Sequence, residues 1–316
     1  MYHQPIFLKP VFMDRIWGGT KLGEEYNYEI PTETTGECWG ISAHPNGPSE
    51  ILNGPLQGKT LIEAWQNHRE LFANQDGDEF PLLTKILDAR DDLSVQVHPD
   101  NVYAKEVENY PYGKTECWYI IDCEEDAEII FGHHAVSKEE LQRMVENGEW
   151  SELLRRVKVK PGDFYYIPSG TIHAIGKGIM ILETQQSSDI TYRVYDYDRT
   201  DAEGNKRELH ITKSIDVTTI PHIETNSKPI LSVEQGLTSK QLIKEENFTV
   251  YHCKLSGTVS KETKENYFLH SVLNGEGSIV TSEGEFTFKK GDHFIVPSTV
   301  KEYRLIGNAE FIVSSP

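Results

Sequence analysis

The stretch KPGDFYYIPSGTIH, residues 160–173, returns near the C-terminus as KKGDHFIVPSTVKE, residues 289–302. Both copies hold Lys, Gly and Asp at the same spacing, then an aromatic and apolar run, then Pro-Ser. Gly-Asp is turn chemistry and the run after it is rich in β-formers, so each copy reads as turn, strand, turn. Upstream of each stands another strand-like run, ECWYII (116–121) and NYFLHS (266–271). The interval between these landmarks is longer in the first copy, and a helical segment over 137–157 accounts for the excess. A repeat of this kind implies two related β units in one chain.

Further short strand-like runs fall at 117–121, 127–131, 163–168, 179–184 and 190–197, separated by Gly, Pro, Asp and Asn. This pattern predicts an antiparallel barrel or sandwich. Helices are expected over 60–73 and 137–157, the second opening on Ser137 and Glu140 as a capping box. The polar, proline-bearing stretch 218–232 reads as a linker. The expected division is a first, helix-enlarged domain over 1–225 and a smaller one over 226–316.

Composition narrows the function. The chain has 316 residues and a formal net charge of −19, which argues against nucleic acid as a partner. No run approaches the roughly 20 apolar residues that a membrane helix needs, and the N-terminus lacks the pattern of a secretory signal. Cys38, Cys117, Cys123 and Cys253 form no C-x-x-C pair, and such scatter suits free thiols in a reducing cytoplasm. Cytoplasmic location is therefore expected.

In LSVQVHPD, residues 93–100, alternation sends Leu93, Val95 and Val97 to one face and Ser94, Gln96 and His98 to the other. The apolar face reads as core. The polar face reads as solvated or as ligand-bearing, and the octapeptide alone leaves both open.

The paired segments GKTECWYIIDCEEDAEIIFG and VKPGDFYYIPSGTIHAIGKG resemble the two motifs of the cupin superfamily, whose members are jelly-roll β-barrels. More narrowly, GECWGISAHPNGPS (36–49), QVHPD (96–100), GKTE (113–116), PSGTIHA (168–174) and the pattern from Glu183 through Ser-Ser-Asp to Arg193 resemble the class I mannose-6-phosphate isomerases, in the family's order. The chain resembles the short form, without a large helical insertion. The resemblance implies a mainly β fold of two cupin barrels in tandem, the first enlarged by helices.

It also implies interconversion of mannose 6-phosphate and fructose 6-phosphate, with one zinc ion per chain held by Gln96, His98, Glu116 and His173. Two imidazoles and a carboxylate are ordinary zinc ligands, and glutamine is a weak neutral one. An aldose–ketose exchange needs a proton-transfer group and a stabiliser for the developing oxyanion. Lys114, Glu183 and Arg193 are the catalytic candidates. Substrate phosphate is expected on Arg193 and Arg199, with Lys114 or Ser94 as further contacts. Arg199 has an alternative as a partner of Asp196 and Asp198, and Glu183 as the structural partner of an arginine. The expected partner is a small phosphosugar, with no nucleic acid and no membrane; the sequence leaves the oligomeric state open and is compatible with a monomer.

In the second unit no Q-x-H precedes the repeat. Glu302 takes the place of His173, and Asn266 that of Glu116, so this unit is expected to hold no metal. Two other classes are weighed: a non-catalytic sugar-binding or regulatory double cupin, and a cupin metal oxygenase. The two GKT triplets lack the upstream Gly of a phosphate-binding loop. NGEGS (274–278) is expected to turn a hairpin, His133 and His134 to sit in a solvated loop, and Trp39 to fill core.

Overall fold

The alternating runs become strands of three antiparallel sheets in a computed structural model that describes residues 2–200, 204–225, 227–264 and 266–316. A six-stranded sheet runs Phe164–Ile167, Glu116–Cys123, Ile179–Gln186, Leu82–Ala89, Val11–Gly19, Thr35–Ile41. A five-stranded sheet runs Tyr192–Tyr195, Val95–Val97, His173–Ala174, Glu128–His133, Leu154–Lys158. The third has nine strands and takes in everything from Ile230 onward, together with Ile6–Lys9 and Glu50–Ile51 from the N-terminal region. The fold is mainly β.

The central strands of the six-stranded sheet are buried on both faces, which explains unbroken apolar runs such as IMIL (179–182). One face gives Cys38, Leu82, Ile86, Cys117, Met180 and Leu182 to a core shared with Ile6, Leu269 and Ile295 of the nine-stranded sheet. Trp118, Ile120, Ile179, Ile181 and Leu87 lie on the opposite face with Ile129 and Phe131 of the five-stranded sheet. Burial of that many side chains, each contributing roughly 1.5–3 kcal/mol, holds the two sheets face to face. The outer face of the five-stranded sheet carries Val95, Val97, Ile130 and Val194, covered by Leu141, Met144 and Ile215 of helices Lys138–Glu146 and Ile211–Val217.

Several local expectations change. Helix 137–157 stops early: Ser137 caps Lys138–Glu146, Gly148 takes a left-handed φ of 67°, and a short Trp150–Leu153 helix yields to strand Leu154–Lys158. Helix 60–73 shortens to Leu61–Asn67, started by a reciprocal Thr60–Glu63 capping box. NGEGS does not turn. It lies inside strand Phe268–Thr281, where a Cβ on Gly275 would meet the Asn308 carbonyl oxygen at 2.1 Å, so glycine there permits close strand approach. His133 ends strand Glu128–His133 buried, with Nε2 at 3.0 Å from the Thr219 carbonyl. All four cysteines are free. Among the described residues no helix is long and apolar enough to cross a membrane.

The structural register also moves one repeat equivalence. Ile167 faces Glu116, and its counterpart Val296 faces Phe268, so Phe268 rather than Asn266 stands at the Glu116 position. Glu302 opens strand Glu302–Ser315 as His173 opens His173–Ala174, but its side chain is exposed.

Candidate active site

Four short segments converge between the five- and six-stranded sheets. Strand Val95–Val97 leads through His98 and Pro99 to Asp100, which caps helix Asn101–Val107 by accepting from the Tyr103 N–H at 2.8 Å. The GKTE segment then lies flush against it: Lys114 N donates to the Pro99 carbonyl at 3.0 Å, and Gly113 N to Asn101 Oδ1 at 2.8 Å. A Cβ on Gly113 would sit 2.4 Å from that carbonyl oxygen, so the approach requires glycine. Gly170, with φ of 85°, donates its N–H to the His98 carbonyl at 2.9 Å and feeds the chain into His173. Backbone register finishes the assembly. Gln96 is opposite His173 on one side and opposite Arg193 on the other.

The imidazoles are set by backbone carbonyls. His98 Nδ1 donates to Ile190 O at 2.9 Å and His173 Nδ1 to Thr171 O at 2.8 Å. A carbonyl only accepts, so each Nδ1 carries the proton and each Nε2 presents a lone pair. Burial first, then the Lys114 ammonium, push both imidazoles down, His173 to about 3, so they stay neutral. His98, Glu116 and His173 offer ligand atoms that all lie within 4.8 Å of one another, and all three are buried. His98 Nε2 is 3.6 Å from Glu116 Oε2, and His173 Nε2 is 3.3 Å from Glu116 Oε1. Glu116 Oε1 is buried with no hydrogen-bond partner. Acceptors packed against acceptors fit a cation. The Lys114 ammonium already donates to this set, to His98 Nε2 at 2.9 Å and to Glu116 Oε2. The Gln96 amide nitrogen lies 3.3 Å from His173 Nε2, and rotation of that amide would offer its carbonyl oxygen.

A second charged group adjoins the first. Lys85 Nζ lies 3.1 Å from Glu183 Oε1 and 3.9 Å from Glu37 Oε2. Trp118 Nε1 donates to Glu183 Oε2 at 2.9 Å, and Trp39 Nε1 to Glu37 Oε2 at 2.6 Å. Arg15 Nε donates to Glu37 Oε1 at 2.8 Å. Burial works to raise Glu37, and Lys85 and Arg15 overcome it and hold the carboxyl down at about 2. Glu183 is also held below the usual range, Lys85 and then Lys114 outweighing its burial. Arg15, Glu37, Trp39, Lys85 and Glu183 line a cavity of about 460 Å³ with Ser94, Gln96, Lys114, Asp189, Arg193 and Arg207 on its walls.

Comparison with known proteins shows the family. Residues 6–131 match the model of the phosphomannose isomerase type I catalytic domain, and residues 238–316 that of the mannose-6-phosphate isomerase cupin domain. The chain is 56% identical to mannose-6-phosphate isomerase ManA of Bacillus subtilis, over 99% of each chain. It is 54% identical to a mannose-6-phosphate isomerase of Streptococcus mutans, over 98% of each. The crystal structure of the mannose 6-phosphate isomerase from Bacillus subtilis superposes with a TM-score of 0.96 at 52% identity, covering 98% of this chain and 99% of that one.

The chain belongs to the type I mannose-6-phosphate isomerases.

Of the residues that the sequence singles out, Ser94, Gln96, Lys114, Glu183 and Arg193 line one cavity, and His98, Glu116 and His173 form a buried cluster next to Gln96 and Lys114. Arg193 donates through Nε to Ser94 Oγ at 3.2 Å and through Nη1 to the Glu208 carbonyl at 2.8 Å. Arg199 turns away to Asp196, at 2.8 Å, and to the Asp92 carbonyl, and is not among the residues lining the cavity. Trp39 is buried as expected, yet its indole N–H works on the site side. Sequence reasoning missed Lys85, Glu37, Arg15 and Arg207. For Lys85 a signal existed: one lysine inside the apolar run PLLTKILDA (81–89) must find a carboxylate. For Glu37 and Arg15 the charged partners are remote in sequence, and nothing local announces those pairings.

Proposed function

We propose that the protein interconverts mannose 6-phosphate and fructose 6-phosphate, with one zinc ion held by Gln96, His98, Glu116 and His173. The observation that carries this reading is the facing of two neutral imidazole Nε2 atoms and an unpartnered Glu116 oxygen, beside a cavity that also holds Lys114, Glu183 and Arg193. Zinc, when bound there, supplies Lewis acidity toward a carbonyl or enediolate oxygen of the sugar. The remaining chemistry falls to side chains. The exchange moves one proton between C1 and C2 and a second between O1 and O2. We assign the first to Glu183, a carboxylate held ionised that takes the proton from one carbon and returns it to the other, and the second to Lys114, whose ammonium gives a proton to one oxygen and regains one from the other, so that both groups end as they began. Lys85 keeps Glu183 charged and oriented. Arg193 has no carboxylate within ion-pairing distance among the described residues, which suits a guanidinium that meets the phosphate or the developing oxyanion.

We read the architecture as two cupin units in tandem, over 1–225 and 226–316, the second without metal. The repeat register supports this, although Ile6–Lys9 and Glu50–Ile51 extend the second unit's sheet. Four free thiols and a phosphosugar substrate suit the cytoplasm. The test is a coupled assay that follows fructose 6-phosphate through phosphoglucose isomerase and glucose-6-phosphate dehydrogenase, with and without a chelator. Conversion that chelation abolishes and zinc restores is expected. Phosphosugar binding without conversion would leave a sugar-binding protein instead.

A further inference from the structure

We infer that Arg207 supplies the specificity for a phosphorylated sugar, binding the phosphoryl group beside Arg193. This rests on the isomerase reading and names a residue beyond the cations already assigned to it.

Three of the other cations on the cavity wall are committed to groups of the site itself. Lys85 has Glu183 and Glu37, Arg15 has Glu37, and Lys114 has Glu116 and His98. Arg207 is held differently. Its Nε donates to Asp196 Oδ2 at 2.8 Å and its Nη2 to Asp196 Oδ1 at 2.6 Å, a two-point fork along one edge of the guanidinium. That fork leaves the Nη1 edge for a ligand, and Arg207 lines the same cavity as Gln96 and Lys114. Asp196 is buried, so the fork is rigid and the free edge is pre-aimed. Arg193, also on the cavity wall, uses Nε and Nη1 on Ser94 and Glu208, and its Nη2 remains. The two guanidiniums are close enough to matter to each other: burial, and then the Arg207 charge, lower the affinity of Arg193 for its proton.

Charge favours an anion there. Arg193, Arg199 and Arg207 surround the carboxylate of Asp196, with Glu208 as the second acid acting on Arg193, so cations outnumber carboxylates here on a chain of net −19. Asp189, on the same wall, is engaged by Asn46 Nδ2 at 2.7 Å and lies 3.7 Å from His44 Nε2. A dianionic phosphate would complete the cluster, and a neutral hydroxyl at the same place would leave that excess uncompensated. Arg199 does not touch the ligand; it positions Asp196 from the far side.

The experiment compares wild type, R207A and R207K by isomerase kinetics, by competitive inhibition with inorganic phosphate, and by zinc content. Losing one charge-assisted contact should raise KM for mannose 6-phosphate roughly 10–100-fold in R207A, with kcat within a few-fold. Inhibition by inorganic phosphate should weaken in the same proportion, and bound zinc should not change. R207K should fall between, because it keeps the charge and loses the fork. If R207A fails to fold, R207K with the same readouts decides alone. Wild-type KM together with wild-type phosphate inhibition would overturn the proposal, as would a fall in kcat at unchanged KM. Absence of isomerase activity in the wild type would instead overturn the functional reading. Inorganic phosphate binding, measured by calorimetry on wild type and R207A, would then still test the subsite.

Discussion

His173 Nε2 and Glu116 Oε1 face each other at 3.3 Å, and the imidazole has already given its one proton to the Thr171 carbonyl through Nδ1. Two lone pairs opposed in a buried site are stable only with a proton or a cation shared between them. Burial, and then the Glu183 charge, raise the Glu116 carboxyl to about 7, the response of an acid in this position.

Replacing His173 with Ala should therefore cost metal and turnover together. We expect elemental analysis of H173A to fall well below the one equivalent proposed for wild type, with activity dropping in parallel. Full metal retention in H173A would place the ion elsewhere.

Glu183→Gln should behave differently. The amide is isosteric, keeps a partner for Trp118 Nε1, and cannot accept the substrate proton. Zinc content should stay near wild type while kcat falls roughly 10²–10⁴-fold, the range for removing a general acid–base group. Unimpaired kcat would reduce Glu183 to a structural partner of Lys85.

Arg193→Ala should likewise keep its metal and its fold, since arginine offers no lone pair to an ion. Catalytic efficiency should drop roughly 10²–10³-fold, the scale for one electrostatic stabiliser. A lower kcat at similar KM would assign Arg193 to the oxyanion, and a raised KM alone would assign it to ground-state phosphate binding.

The frame of this molecule was legible because its chemistry is carried by local signals. The turn residues of KPGD and KKGD, the β-rich runs and the alternation in SVQVH led to strands at 116–123, 128–133, 164–167 and 179–186. Cys117 took the face opposite Glu116, as alternation requires. What escaped was set by long-range contact. Strand Phe268–Thr281 overrides the turn propensity of NGEGS because two partner strands pair along it. Lys85 and Glu183 meet only through cross-strand register, 98 residues apart, and that register is fixed by sheet order rather than by either local sequence. Arg207 lies in a polar stretch with no local signal, and only its folded contact with Asp196 sets it on the cavity wall.

Glu37 supplies a pH dependence. Its carboxyl titrates at about 2 in the folded chain because Lys85 and Arg15 outweigh its burial, against about 4.5 for the ordinary group. The folded value is depressed, so its contribution is present above pH 4.5 and is lost as pH falls through 2. Two and a half units correspond to about 3 kcal/mol. Denaturant unfolding of E37Q should show a deficit of that order at pH 7 that shrinks below pH 4. A deficit independent of pH would mean that packing, not charge, is what Glu37 provides.

The most direct test of the whole account is a titration of the chelator-stripped protein with zinc, read by coupled mannose 6-phosphate isomerase activity. Activity should rise from near zero and level off at one equivalent per chain. Glu302→Ala and Asn266→Ala should give the same curve, because neither contributes to a metal site in the second unit. A plateau at two equivalents, activity that survives stripping, or loss of turnover in a folded E302A protein would contradict the assignment of a single zinc centre to His98, Glu116, His173 and Gln96.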